Sequence, residues 1–101
     1  MRPRVPWMNE VDDAILEFFR EMESISGERV ELQPGTVHHN IAEVRGYSEK
    51  SRSTFSRRIG DLEKIGLLEL TDETKRYYRI TEKGLAYLEG EIKAEELEPD
   101  E

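Results

Sequence analysis

The 101 residues, 36% of them hydrophobic, provide for one small core and leave no length for a second domain. With 23 acids against 15 bases the net charge is −8, which favours solubility and repels non-specific partners; the absence of cysteine excludes disulfides, thiolate metal sites and thiol catalysis. No apolar run approaches a membrane span, and the Arg- and Pro-containing start lacks a signal-peptide core, so a cytoplasmic protein without membrane contact is expected.

Asn9 can cap a first helix whose apolar positions, Val11, Ile15, Phe18, Met22 and Ile25, recur at helical spacing, with Asp12 and Asp13 near its positive end. Gly27 is a stop. Val30 and Leu32 flank Glu31 as in a short strand, and Pro34-Gly35 then turns the chain. A second helix from Pro34 or Thr36 has Val37, Ile41 and Val44 as its apolar stripe and Gly46 as its end. Ser48 can cap a third helix, placed at 48–65, that buries Phe55, Ile59, Leu62 and Ile65 and leaves through Gly66. Leu68 and Leu70 alternate with Glu69, and Tyr78 and Ile80 with Arg79, on either side of a polar tip: a β-hairpin. Thr81 can cap a last helix carrying Leu85, Leu88 and Ile92. Residues 1–94 thus read as one domain and 95–101 as an acidic, frayed tail. The order is helix, strand, helix, tight turn, helix, hairpin, helix. That is a winged helix-turn-helix, mainly α with a small β-hairpin.

Charge is unevenly placed along this order. Residues 45–64 hold six bases and three acids, a net of +3, while the other 9 bases and 20 acids leave −11 elsewhere. On the third helix Phe55, Ile59 and Leu62 share a narrow sector. Lys50, Ser53, Thr54, Arg57 and Lys64 point away from it, and Arg52 and Arg58 lie on the flanks. Long cations and small hydroxyl residues suit a helix entering the major groove. Arg can bond a guanine edge with two hydrogen bonds, and Lys and Ser can hold phosphates. The bland alternative is a solvated surface helix, and charge alone decides little between the two.

The segments "SRSTFSRRIGDLEKIGLLEL" and "YYRITEKGLAYLEGEI", with "WMNEVDDAILEFF" and "LQPGTVHHNIA" before them, resemble the winged-helix transcription regulators of halophilic archaea. The likeness is greatest to the haloarchaeal virus repressor-like group. It spans about residues 6–92, and the order of its loose parts makes it specific. The resemblance implies a repressor-like regulator binding double-stranded DNA, with Ser53, Thr54, Ser56, Arg57 and Arg58 at groove-facing or phosphate-facing positions. Lys50, Ser51 and Arg52 join them at the start of the helix. Arg57 and Arg58 lead the set, one for base edges and one for phosphate. Lys75 and Arg76 on the wing are expected at phosphate, although Asp72 and Glu73 make an ordinary charged turn a serious competitor. Phe55 stands where smaller β-branched residues are common in the group.

A salt-accumulating cytoplasm also accounts for the acidic body. Because counterion release weakens as salt rises, base-edge and shape contacts are expected to carry more of the affinity than usual.

A single module reads few base pairs, so a homodimer through the first and last helices is expected. Phe18, Phe19, Trp7, Leu85, Leu88 and Ile92 are seam candidates; Leu85 and Leu88 suit the core better, and Ile92 is late enough to need a partner. His38 and His39 diverge by about 100° on a helix and make a poor metal pair, better placed on an exposed face where one of them can touch the DNA backbone. No cofactor motif or catalytic constellation occurs, so an enzyme is not expected. The rival reading is a winged-helix module whose acidic faces dock onto a basic protein.

Overall fold

A computed structural model of the chain describes residues 10–26, 30–46 and 50–92. Several expectations therefore fall outside the described residues: the Asn9 cap, Trp7, the Gly27 stop, Ser48, and the tail 95–101.

Helix α1 spans Glu10–Ser26 and opens on Glu10, Asp12 and Asp13, where carboxylates meet the positive end of the helix. Its buried face is wider than one stripe. Leu16 and Phe19 join Val11, Ile15 and Phe18 in the core, and Asp12, also fully buried, lies along the line of Leu16 and Phe19.

Helix α2, Pro34–His38, starts on a buried proline and runs into a π-helical stretch, His39–Val44. Val37 and Ile41 are buried as expected, but Val44 is 64% exposed. The wider winding turns it off their face; the Arg45 N–H reaches back to the Asn40 carbonyl at 3.0 Å, a π-type bond. Gly46 then takes a positive φ of 67°.

Helix α3 spans Arg52–Lys64 and is shorter than the expected 48–65. Ser51 is its cap: its backbone is extended and its Oγ accepts the Thr54 N–H at 3.3 Å. Lys50 and Ser51 therefore precede the helix. Phe55, Ile59 and Leu62 are fully buried, each burial stabilising by about 1.5–3 kcal/mol. Gly66, at φ 84°, makes the left-handed exit that a side chain would strain.

Strands β1 (Leu68–Asp72) and β2 (Tyr77–Ile80) form the antiparallel wing, pairing Leu68 with Ile80 and Leu70 with Tyr78, with a bulge before Asp72. Leu32 adds one residue of a third strand by exchanging two backbone hydrogen bonds with Tyr78, at 2.8 and 2.9 Å. Tyr78 packs inward and Tyr77 is half-buried.

Thr81 caps α4 (Glu82–Leu88): its Oγ1 accepts the Gly84 N–H at 3.0 Å and donates to the Gly66 carbonyl at 2.5 Å. Gly84 has to be glycine, since a Cβ there would lie 2.4 Å from the Leu67 carbonyl oxygen. Leu88 is buried, and Leu85 and Ile92 pack partly buried against the same core as Phe18 and Phe19. Of the residues expected at a dimer seam, Phe18, Phe19 and Leu88 thus lie in the monomer's core, while Leu85 and Ile92 keep part of their surface exposed.

Candidate nucleic-acid interface

The N-terminal end of α2, the first turns of α3 and the wing tip enclose an open groove of about 560 Å³. Arg52 and Ser56 line it from α3, Lys75 and Arg76 from the wing, and Gln33, Gly35, Thr36 and His39 from the start of α2 and its continuation. No carboxylate is among these lining residues, on a chain of net charge −8.

Each cation is held there by local chemistry. The Arg52 guanidinium lies against the bare backbone of Gly35, where a Cβ would come within 2.7 Å of its Nη2. At the wing tip the Asp72 carboxylate accepts the Lys75 backbone N–H at 2.9 Å. That acid is thus engaged by the turn itself, through the backbone three residues on. Arg76 adopts a left-handed φ of 62°, donates to the Tyr78 hydroxyl at 2.8 Å, and sits over that ring at 5.7 Å. The Gln33 side-chain amide donates to the Lys75 carbonyl at 2.8 Å, tying the wing tip to the entry of α2. Thr71, through Glu31, adds a second tie.

Around the start of α3 the hydroxyls of Ser51, Ser53 and Thr54 cluster, Ser51 lying 3.0 and 3.1 Å from the other two. Ser51, Arg52, Ser53 and Arg57 are exposed, and Thr54 and Ser56 half-exposed. Neither Arg52 nor Arg57 is ion-paired with any described residue. Lys50 is exposed too, with its carbonyl 3.1 Å from His38 Nε2.

Arg58 lies elsewhere. Its Nε donates to Asp12 Oδ1 at 2.8 Å and its Nη2 to Asp12 Oδ2 at 2.5 Å, while Nη1 reaches Asp61 Oδ2 at 3.3 Å. The Asp12 side chain is 0% exposed and that of Arg58 14%. The hydrogen bond to Asp12 raises the Arg58 pKa above its ordinary value, against the opposing effect of burial. A folded pKa above the unfolded one gives stability that is complete below the unfolded value and fades only above it. For arginine that window lies beyond neutral and mildly alkaline pH. Arg58, placed on a flank of the helix and expected with Arg57 at base edges or phosphate, is instead turned back against α1.

The histidines also part company. His38 is half-buried, edge-on to Phe55 at 5.1 Å, whereas the exposed His39 lines the groove and pairs with Glu43 at 2.7 Å. An exposed face for both is corrected for His38. Among the described residues no group of three or more His, Asp or Glu side chains could hold a metal ion. None of the described helices is long and apolar enough to cross a membrane.

A family model described as winged helix-turn-helix phage repressor matches residues 1–100. The chain belongs to that family. The repressor protein of Halobacterium phage phiH is 35% identical to it over 99 residues, covering 97% of this chain and 98% of the relative. No solved structure matches. For this winged helix-turn-helix phage repressor family member, the fold inferred from the order of elements therefore stands, and so does the resemblance that named the group.

Sequence reasoning missed Gln33 and Thr36 as groove residues, because they come from the start of the helix before the reading candidate. One signal was available: both sit with His39 within residues 33–39, which hold α2 and its two flanking positions, the element that packs against α3.

Proposed function

We propose that the protein is a sequence-specific repressor that lays α3 in the major groove of duplex DNA, with the wing beside the backbone. The groove at the junction of α2, α3 and the wing carries this reading. Arg52, Lys75 and Arg76 converge there with no carboxylate among the described lining residues, on a protein whose overall charge repels polyanions. Arg57, exposed and without an ion pair among the described residues, is the base-edge candidate, and Ser53, Thr54 and Ser56 permit close approach. Arg52, Lys75, Arg76 and Lys50 take phosphates.

Two copies on two half-sites complete the reading, since one α3 spans few base pairs. The repressor of a Halobacterium phage is a relative, which supports operation in concentrated salt. There counterion release contributes little, and base-edge and shape contacts carry the specificity.

Selection of bound duplexes from a random pool in concentrated KCl tests the proposal. A repressor working as a dimer enriches a palindrome. A pool that stays random favours the rival reading, a module docking its acidic faces on a basic protein. Substitutions used to separate the two readings should be Arg52→Ala and Arg57→Ala. Replacing Arg58 would strip a buried carboxylate of its partner and confuse lost folding with lost binding.

A further inference from the structure

Adjacent arginines on α3 have opposite surroundings, and this bears on how the helix is aimed. Arg57 faces solvent; Arg58 makes a two-pronged pair with Asp12, 46 residues earlier, on α1. The apolar contacts of Phe55, Ile59 and Leu62 hold α3 against the body, but such contacts are non-directional and tolerate small rotations and slides. A guanidinium fork on a carboxylate is directional: both bonds survive only in one plane and at one distance. The pair is also the point where α3 meets a buried charge, because Asp12 is fully enclosed and so cannot exchange Arg58 for water.

We infer that the Arg58–Asp12 pair is a positioning device that sets the rotation of α3 about its own axis, and with it the direction in which Arg57 and the Ser53–Thr54 hydroxyls are presented to the bases. The inference rests on the duplex-reading function proposed above. It assigns Arg58 to specificity through orientation, with no contact to phosphate or base. Asp61, 3.3 Å from Nη1, supports the fork from its own helix. Lysine at position 58 keeps the charge but offers a single point of attachment, so the helix loses its fixed azimuth while retaining a buried cation for Asp12.

The test uses the full chain, a duplex selected by the wild-type protein from the random pool, and a scrambled duplex of the same composition. Arg58→Lys, and separately the paired replacement Asp12→Leu with Arg58→Met, are measured against both duplexes across a KCl series. Folding is checked by circular dichroism and thermal melting. The expected result is a fall of about tenfold or more in the ratio of selected to scrambled affinity, the scale of one mis-aimed bidentate base contact. The salt dependence should keep its wild-type slope, because no phosphate contact is removed.

Folded variants that discriminate as well as wild type would overturn the inference. So would a salt slope in the paired replacement shallower by about one, which would put Arg58 on a phosphate. If the paired replacement does not fold, the selected-to-scrambled ratio of Arg58→Lys alone decides: a fall upholds the inference and a wild-type ratio overturns it. A wild-type chain that enriches no sequence at all would remove the duplex-reading function first, and this inference with it.

Discussion

On the α1–α4 side of the molecule, Arg20 bridges Glu17 at 2.7 Å and Glu89 at 3.3 Å, and Arg45 reaches Glu21 at 2.6 Å while lying 5.1 Å over the Phe18 ring. On the α3–wing side, Arg52 and Arg57 are exposed with no ion pair among the described residues, and no carboxylate is among the described residues lining the groove between α3 and the wing. The same residue type thus does different work on the two sides. Where a carboxylate lies within reach, as for Arg20 and Arg45 and also for Arg79 beside Glu69 in the wing, arginine neutralises it; at the groove its charge stays available to a ligand. The number of cations in a segment is therefore a poor guide to binding. Whether each has a carboxylate within reach is a better one.

Arg58→Ala should have the largest effect on stability. It breaks a buried pair and leaves the Asp12 carboxylate enclosed without its guanidinium, a loss of about 3–5 kcal/mol measurable by chemical denaturation. Arg57→Ala, one residue away, should change stability by no more than about 0.5 kcal/mol. Equal losses at the two positions would break the comparison.

Arg45→Ala should cost about 1 kcal/mol, since it removes a partly exposed ion pair together with a cation–π contact. Arg20→Ala, whose side chain is 36% exposed, should cost less than about 1 kcal/mol, and less still in concentrated salt. Gly35→Ala sharpens the other half of the comparison. Its new methyl meets only the mobile end of Arg52, so melting should hold within about 1 kcal/mol while DNA affinity falls toward that of Arg52→Ala.

The fold was legible because its signals are local. Thr81 and Gly66 sit where a cap and a left-handed exit were expected, and the alternation of Leu68, Leu70, Tyr78 and Ile80 became the wing. The start of α3 was misplaced by a few residues because Ser48, Ser51 and Ser53 can all cap, and sequence does not rank them. Val44 left its stripe because a π-type stretch breaks the 3.6-residue period on which the stripe was drawn.

Arg58 shows what sequence withheld from the site. It lies on the flank of the buried sector, as Arg52 does, and the fate of a flanking cation depends on what the neighbouring helix offers. For Arg58 that is Asp12. The clue was the alignment of Asp12 with Leu16 and Phe19 at helical spacing, which puts a carboxylate on an apolar line where only a partnered acid can stay. Reading Asp12 as a helix-start acid concealed it.

The most direct measurement compares wild-type, Arg57→Ala and Arg20→Ala proteins for binding to the selected duplex in concentrated KCl. If the α3–wing side of the molecule reads DNA, Arg57→Ala weakens binding about tenfold or more, the scale of a lost bidentate base contact, and Arg20→Ala binds as wild type does. Loss of binding in Arg20→Ala with Arg57→Ala unaffected would contradict that assignment of faces.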